Sequence, residues 1–488
     1  MHPAVAGTTR SRENPMYALP APTSKIHLIG IGGIGVSGVA FALLSKGYAV
    51  SGSDVRESQL TLALRAQGAT VHIGHSAEHL KGVDLVVVST AIPESNPELI
   101  AARSSGVEVR HRSEILGALL ATFPIAIGVI GTHGKGTTSS AITHILDHAT
   151  TSGHPGPSFI IGGLLENFAK TNARLTGGDT IVAEVDESDG SLRNVFPTLA
   201  VVNNIEADHL NYYDNLEHVQ RTIVDALNSN PRLERVFINA DDLGAHAIAK
   251  QLKAAVTTFG RNATDADVRA TDAEANFVSG RYGLVARGAS STSVALPLPG
   301  LHNLDNSVAA ASVALHLGVP ATVIASALST FKGLENRFTV VHVADRIIVK
   351  DYISHPTGIR KVLEAAKTSG RKTTAVFKPY RFTMVNYLQD DYAEAFHDAD
   401  HTIITDLYPA GEVPIPGIDT EFLCNKIRAR GPRVTHVPHM EDIVEVLHGL
   451  IGRGEQVVFF GGDDLFRLAD RFASELEGTT PRTTKASA

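Results

Sequence analysis

Two hydrophobic patterns alternate along the chain. Short unbroken runs rich in Val, Ile and Leu lie at residues 25–29, 84–88, 126–130, 180–185, 199–203, 236–239, 347–349, 374–377, 402–405 and 456–460. Continuous runs of this length suit strands buried on both faces. Several lead through a Gly- or Asp-marked turn into a stretch of helical periodicity, as at 137–148 and 306–317. This repetition predicts an α/β protein with mostly parallel sheets. Residues 264–297, through Gly280-Arg-Tyr-Gly-Leu and Ser291-Thr-Ser-Val, read instead as hairpins forming an antiparallel appendage to a sheet.

The pattern restarts twice, so three domains are expected. Residues 24–118 open with a Gly-rich strand–turn–helix, and 119–334 begin again with a Gly-rich turn at 128–136. Residues 335–476 form a further α/β block without a glycine-rich phosphate loop. Segments 1–23 and 477–488 read as flexible tails, and 151–158 as a surface loop.

Composition removes several classes. With 488 residues and 43% hydrophobic content, the chain can bury several cores. Its single cysteine, Cys424, excludes an internal disulfide, a cysteine-rich zinc site and iron–sulfur ligation, and points to a reducing cytoplasm. No apolar run of about 18 residues occurs, so no membrane span is expected. The net charge of −8 is the wrong sign for a surface that tracks nucleic-acid phosphates. Small anions remain open to it, because loops and helix N-termini bind them locally.

Three motifs carry chemistry. Gly30-Ile-Gly32-Gly33-Ile-Gly35 follows the first apolar run, with Asp54 after the next one. Glycines here allow close backbone approach, and the helix N-terminus offers amides to a diphosphate. The motif leaves the nucleotide undecided. The second is Gly131-Thr132-His133-Gly134-Lys135-Gly136-Thr137-Thr138. Its amides can wrap phosphates, Lys135 adds a positive charge, and Thr137 or Thr138 can join a metal shell. Val129 stands where a full Walker A motif has glycine. Third, Glu184-Val-Asp186-Glu187-Ser188-Asp189 and Asn203-Asn204-Ile-Glu206-Ala-Asp208-His209 end two neighbouring runs. Carboxylates with one imidazole suit Mg²⁺ or Mn²⁺ beside phosphate.

In order and spacing these segments resemble the Mur ligase family. Ser89-Thr90-Ala-Ile-Pro93, Pro299-Gly-Leu-His-Asn303, Arg337-Phe338, His355-Pro-Thr357 and Asp406-Leu-Tyr-Pro-Ala-Gly-Glu412 extend the likeness to about Leu465. The resemblance implies a Rossmann-like N-terminal domain for a UDP-sugar, a central P-loop ATPase domain and a Rossmann-like C-terminal domain closing on an amino acid. It implies ATP-dependent joining of L-alanine or another amino acid to the lactyl carboxylate of UDP-N-acetylmuramate through an acyl phosphate, in peptidoglycan precursor synthesis. A diverged relative using another amine–carboxylate pair, or binding nucleotide for regulation, is the alternative. Monomer and homodimer both remain open.

Carried over by position, the resemblance gives Gly30, Gly32, Gly33, Gly35, Asp54, Ser89, Thr90, His133, Asn172 and Ser188 to the UDP-sugar. The segment Gly131 to Thr138 goes to ATP, with Asn303, Arg337 and Asp351. Thr137, Glu184 and His209 go to Mg²⁺, and Lys135, Glu184, His209, His355 and Arg381 to catalysis. Several positions depart from the family pattern. Gly136 replaces the usual threonine, and Ser354 and Gly358 replace a histidine and a glutamate around His355. In Lys378-Pro-Tyr380-Arg381-Phe-Thr-Met384, the usual second arginine is Met384, and Lys378 is expected to compensate as a point charge. Gly462-Asp463-Asp464 adds acid nearby.

Overall fold

The computed structural model describes residues 18–150, 155–210 and 212–478. Most of segments 1–23, 151–158 and 477–488 lies outside these residues. Three sheets carry the fold. The first has the order Thr70–Ile73, Ala49–Asp54, Lys25–Ile29, Leu85–Val88, Glu108–His111, all parallel. The strand order reverses at Lys25–Ile29, which opens a crevice beyond the carboxyl ends of this strand and Leu85–Val88.

The central sheet has ten strands. Its parallel middle includes Arg235–Asn239, Leu199–Val202, Ile125–Ile130, Thr180–Glu184 and Ser158–Leu165 in that order. The expected hairpin appendage is present, as Val268–Ala275, Gly280–Ala286 and Thr292–Leu296 pair antiparallel at one edge. A second hairpin, Ser158–Leu165 with Thr171–Arg174, closes the other edge. The surface-loop reading of 151–158 therefore runs one residue too far. Ser158 starts this strand fully buried, its Oγ accepting from the amide of Thr176. The third sheet has six strands, with Gln456–Phe460 between Arg346–Asp351 and Thr373–Phe377. All three core strands are buried along most of their length, as continuous apolar runs require.

The first two domains share one core. Helix Ile34–Ser45 packs on the hairpin Ser158–Leu165/Thr171–Arg174, where Gly38 permits the approach: a Cβ there would lie 3.0 Å from Ile160. Helix Arg112–Ala121 runs across the boundary placed at 118 and seats on residues Ser191–Asn194. Gly117 makes that seat possible, since a Cβ would fall 1.9 Å from the carbonyl oxygen of Asn194.

Gly117→Ala should therefore lower stability by about 1–3 kcal/mol, the usual cost of overpacking against backbone. Gly449→Ala, in helix Ile443–Leu450 with nothing within 4 Å of its added Cβ, should gain about 0.5–1 kcal/mol. Thermal unfolding of the two variants checks this; equal midpoints would contradict the packing described.

Candidate active site

All three domains line one cleft of about 810 Å³. The central domain contributes the segment after strand Ile125–Ile130, which is the topological switch point of its sheet. Gly131 (φ +143°) and Gly134 (φ +76°) bend this loop into helix Lys135–His148, with Gly134 as N-cap. The Lys135 ammonium donates to the Gly131 carbonyl (2.7 Å) and to Glu187 Oε1 (2.9 Å). Burial alone would lower the Lys135 pKa, but Glu187, Glu184 and Asp186 outweigh it and raise it. Burial pushes the Glu187 carboxyl up.

The two threonines of the loop separate. Thr138 is fully buried; its hydroxyl accepts from Asn203 Nδ2 (2.9 Å) and donates to Asn306 (3.3 Å). Thr137 lines the cleft, as do Glu184 and His209. Gly136 has a local cause, because a Cβ there would lie 2.8 Å from Leu334 Cδ1 and 3.2 Å from Glu184 Oε2. Glu184 is oriented by the Gly162 amide at 2.9 Å. His209, at φ +53°, lies next to Asp208, which accepts its amide (2.6 Å). Burial would raise the Asp208 carboxyl, but His209, His355 and His133 hold it below its ordinary value.

Across the cleft, His355 and Thr357 of the third domain meet Glu206 and His133 of the central one. Thr357 Oγ1 donates to Glu206 Oε2 (2.7 Å), with His133 Nε2 at 3.4 Å and His355 Nδ1 at 3.7 Å. Burial opposes ionisation of Glu206, yet His133, Thr357 and His355 bring its pKa down to about 2. Burial and His133 bring His355 down to about 4, so its ring is neutral at pH 7. Among the described residues, His133, Glu206 and His355 form the one group of three His, Cys, Asp or Glu ligand atoms within 4.8 Å of one another.

Asn303, Arg337, Asp351, Ser188, Thr90 and Arg381 also line the cleft. Arg337 donates to the Tyr352 carbonyl at 2.6 Å. Thr90 donates to Asp189 (3.0 Å), and Arg112 pairs with Asp186 (2.5 Å), which joins the first domain to the acidic run. Arg381 sits at φ +66°, and its Nε is buried without a hydrogen-bond partner.

Other expected residues lie apart from this cleft. In the first glycine loop, the amides of Gly30 and Ile31 donate to the Ser53 carbonyl, that of Gly32 to Asp54, and that of Gly33 to Gly30. Asp54 thus braces the loop, and Ile34 and Gly35 keep the open amides at the helix start. Ser89 and these glycines do not line the described cavity. Asn172 is fully buried, its Nδ2 bonded to Ile34 O (2.8 Å) and Ser37 Oγ (2.9 Å), so it ties the first domain to the central hairpin.

One expectation is corrected. Lys378 does not stand in for a second arginine, because its ammonium is paired with Asp464 and does not line the cleft. Glu187, Glu206 and Asp208 stand within the acidic motifs, where no individual role is expected of them. Their spacing after two strand ends was the available signal; their partners come from other domains or from a loop far along the chain.

Comparison with known proteins settles the family. Residues 25–124, 129–314 and 336–462 match the models described as Mur ligase family, catalytic domain; Mur ligase middle domain; and Mur ligase, glutamate ligase domain. The chain belongs to the Mur ligase family. This Mur ligase is 38% identical over 457 residues to the UDP-N-acetylmuramate–L-alanine ligase of Geobacter sp. (strain M21), covering 93% of this chain and 98% of that one. The enzyme of the same name from Sulfurihydrogenibium sp. (strain YO3AOP1) is 37% identical, with 93% and 98% covered. The crystal structure of the UDP-N-acetylmuramate–alanine ligase of Thermotoga maritima superposes with a TM-score of 0.78 at 25% identity, over 93% of this chain and all of that one. A murein peptide ligase from Psychrobacter arcticus shares the fold, with a TM-score of 0.72 at 22% identity over 94% of this chain and all of that one.

The buried Asp351 of this Mur ligase gives a pH test. Its Oδ2 accepts the Phe338 amide (2.9 Å); burial raises its pKa to about 6 although Arg337 opposes. That value lies above the ordinary ~3.9, so the folded state holds the proton more tightly and stability falls as pH rises from about 4 to 6, by at most about 3 kcal/mol. Asp351→Asn keeps an acceptor and removes the charge. It should match the wild-type melting temperature at pH 4 and exceed it at pH 8; a difference independent of pH would contradict buried ionisation.

Proposed function

We propose that this chain is an ATP-dependent ligase that joins an amino acid, L-alanine by the example of its relatives, to the lactyl carboxylate of UDP-N-acetylmuramate. One observation carries the reading. The phosphate-loop Lys135, with Thr137, Glu184 and His209, shares a single cleft with Arg381 of the closing domain, whose buried Nε has no hydrogen-bond partner. A carboxylate is a poor acyl donor until one oxygen becomes a phosphate leaving group. Phosphate machinery and a carboxylate-binding cation facing one another therefore suit a reaction that activates an acid and then captures an amine.

The residues divide the work. Lys135, desolvated and fully charged, would neutralise the transferring phosphoryl oxygens. Breaking its contact with Glu187 accompanies that role. Thr137, Glu184 and His209 fit Mg²⁺ by chemistry, being two oxygen donors and one imidazole beside the loop, with Thr138 already committed elsewhere. Bound there, Mg²⁺ would offset phosphate charge. Asn303 of the central domain and Arg337 and Asp351 of the closing one, which line the same cleft, would contact the nucleotide. His133, Ser188 and Thr90 would border the sugar and its carboxylate, while His355, neutral and buried, would stand by the incoming amine. The open amides of Ile34 and Gly35 would face the diphosphate. With the first domain fixed to the central one, most of the catalysis is positioning. Among the described residues no helix is long and apolar enough to cross a membrane.

ADP release should require UDP-N-acetylmuramate and an amino acid together; if no amino acid stimulates it, the proposal fails. Lys135→Ala should abolish turnover while UDP-sugar binding, measured by calorimetry, is kept. Thr137→Ala should lower kcat at least tenfold and raise the Mg²⁺ requirement without changing stability. Thr138→Ala should instead cost about 1–3 kcal/mol of stability through the buried Asn203 and Asn306 groups it leaves unpaired. Reversed phenotypes would reassign the metal hydroxyl.

A further inference from the structure

The amine end of the cleft holds an ordered stack that neither the resemblance nor the family assignment describes. The Arg381 guanidinium lies 5.3 Å from the Tyr380 ring, Tyr380 stacks on Tyr408 at 5.6 Å and 28°, and Lys378 Nζ lies 4.8 Å from the Tyr408 ring. The far end of Lys378 is paired with Asp464, at the start of helix Asp463–Glu477. Two cations thus sandwich two stacked tyrosines. One cation is neutralised within the protein, and the other faces the cleft.

The backbone fixes the same arrangement. Arg381 donates its amide to the Tyr408 carbonyl (2.9 Å), Tyr408 returns its own amide to Pro379 (2.9 Å), and Tyr380 and Tyr408 bridge in parallel. Arg381 takes a left-handed φ of +66° to make this turn, a strained choice that surroundings must enforce.

Other anion-binding groups at this end are already committed. The Thr383 amide and hydroxyl both bond Glu412, at 3.0 and 2.6 Å, so the start of helix Phe382–Tyr387 is occupied. Tyr387, Met384 and Leu388 of the same segment also line the cleft.

We propose that Lys378 and Asp464 are positioning residues that hold Arg381 through the tyrosine stack. Arg381, held in this way, is the cation that meets the acceptor's α-carboxylate. This rests on the ligase reading above.

The test is steady-state ADP release with saturating ATP and UDP-N-acetylmuramate against L-alanine, L-valine and L-aspartate. Lys378→Gln should raise the amino-acid KM at least fivefold, about what one cation–π contact supplies, with the KM values for ATP and UDP-sugar within twofold. Lys378→Arg should restore the wild-type value. Asp464→Asn removes the same pairing and should raise the amino-acid KM in the same direction. Amino-acid KM values unchanged in these variants, or the KM values for ATP, UDP-sugar and amino acid all affected in step, would overturn the inference while leaving the ligase reading intact. Failure of every amino acid to stimulate the wild type would overturn the ligase reading and this inference with it.

Discussion

A largely desolvated ammonium must be paired, and the pairing of Lys135 organises the molecule around it. Its partner, Glu187, belongs to the run Glu184–Asp189, in which each acid has a separate task. Glu184 is turned toward the phosphate loop by the Gly162 amide. Asp186 receives Arg112, and Asp189 receives Thr90, both from the first domain. The carbonyl of Glu187 accepts the buried Tyr213 hydroxyl. A chain segment of six residues thereby fixes the lysine, orients a candidate metal ligand and ties two domains together. Removing Glu187 would leave the Lys135 ammonium desolvated and unpaired, which costs far more than a surface contact is worth.

The third domain joins by a different device. The linker Leu334–Phe338 contains two non-glycine residues in left-handed conformation, Asn336 and Phe338, and its start bridges to Leu165. Such backbone persists only where tertiary contacts enforce it. Here the Asn336 amide donates to Thr339, its carbonyl accepts from Tyr352, and the Phe338 amide donates to Asp351. Beyond the linker, Glu206 receives Thr357 between His133 and His355. The chemistry of the cleft is thus assembled across a domain contact, and the same contact lowers the pKa values of His355 and Glu206.

The departures from the family pattern are local solutions. Gly136 leaves room for Leu334, a linker residue, so the loop and the hinge are packed against each other. Lys378 and Asp464, two unusual residues 86 positions apart, form an ion pair with each other. Neither could be interpreted alone: a lone lysine near an acceptor site reads as a carboxylate ligand, and only its partner shows that its charge is already spent.

The architecture was readable because buried parallel strands need unbroken apolar runs and phosphate loops need glycine at fixed spacing. Strand Lys25–Ile29 and strand Gln456–Phe460 coincide with their expected bounds, and the hairpin edge at Val268–Leu296 follows from its turn chemistry. The amino-acid order also gathered Lys135, Thr137, Glu184, His209, Asn303, Arg337, Asp351, His355 and Arg381, all of which line one cleft. Pairings between distant segments decided the rest. Asn172 is a buried tie beneath helix Ile34–Ser45, and Asp54 braces its own glycine loop. Thr138 is consumed by Asn203 and Asn306, which leaves Thr137 to the cleft. A residue's type states which bonds it can make; which of them it has already made depends on groups that only the folded chain brings within 3 Å.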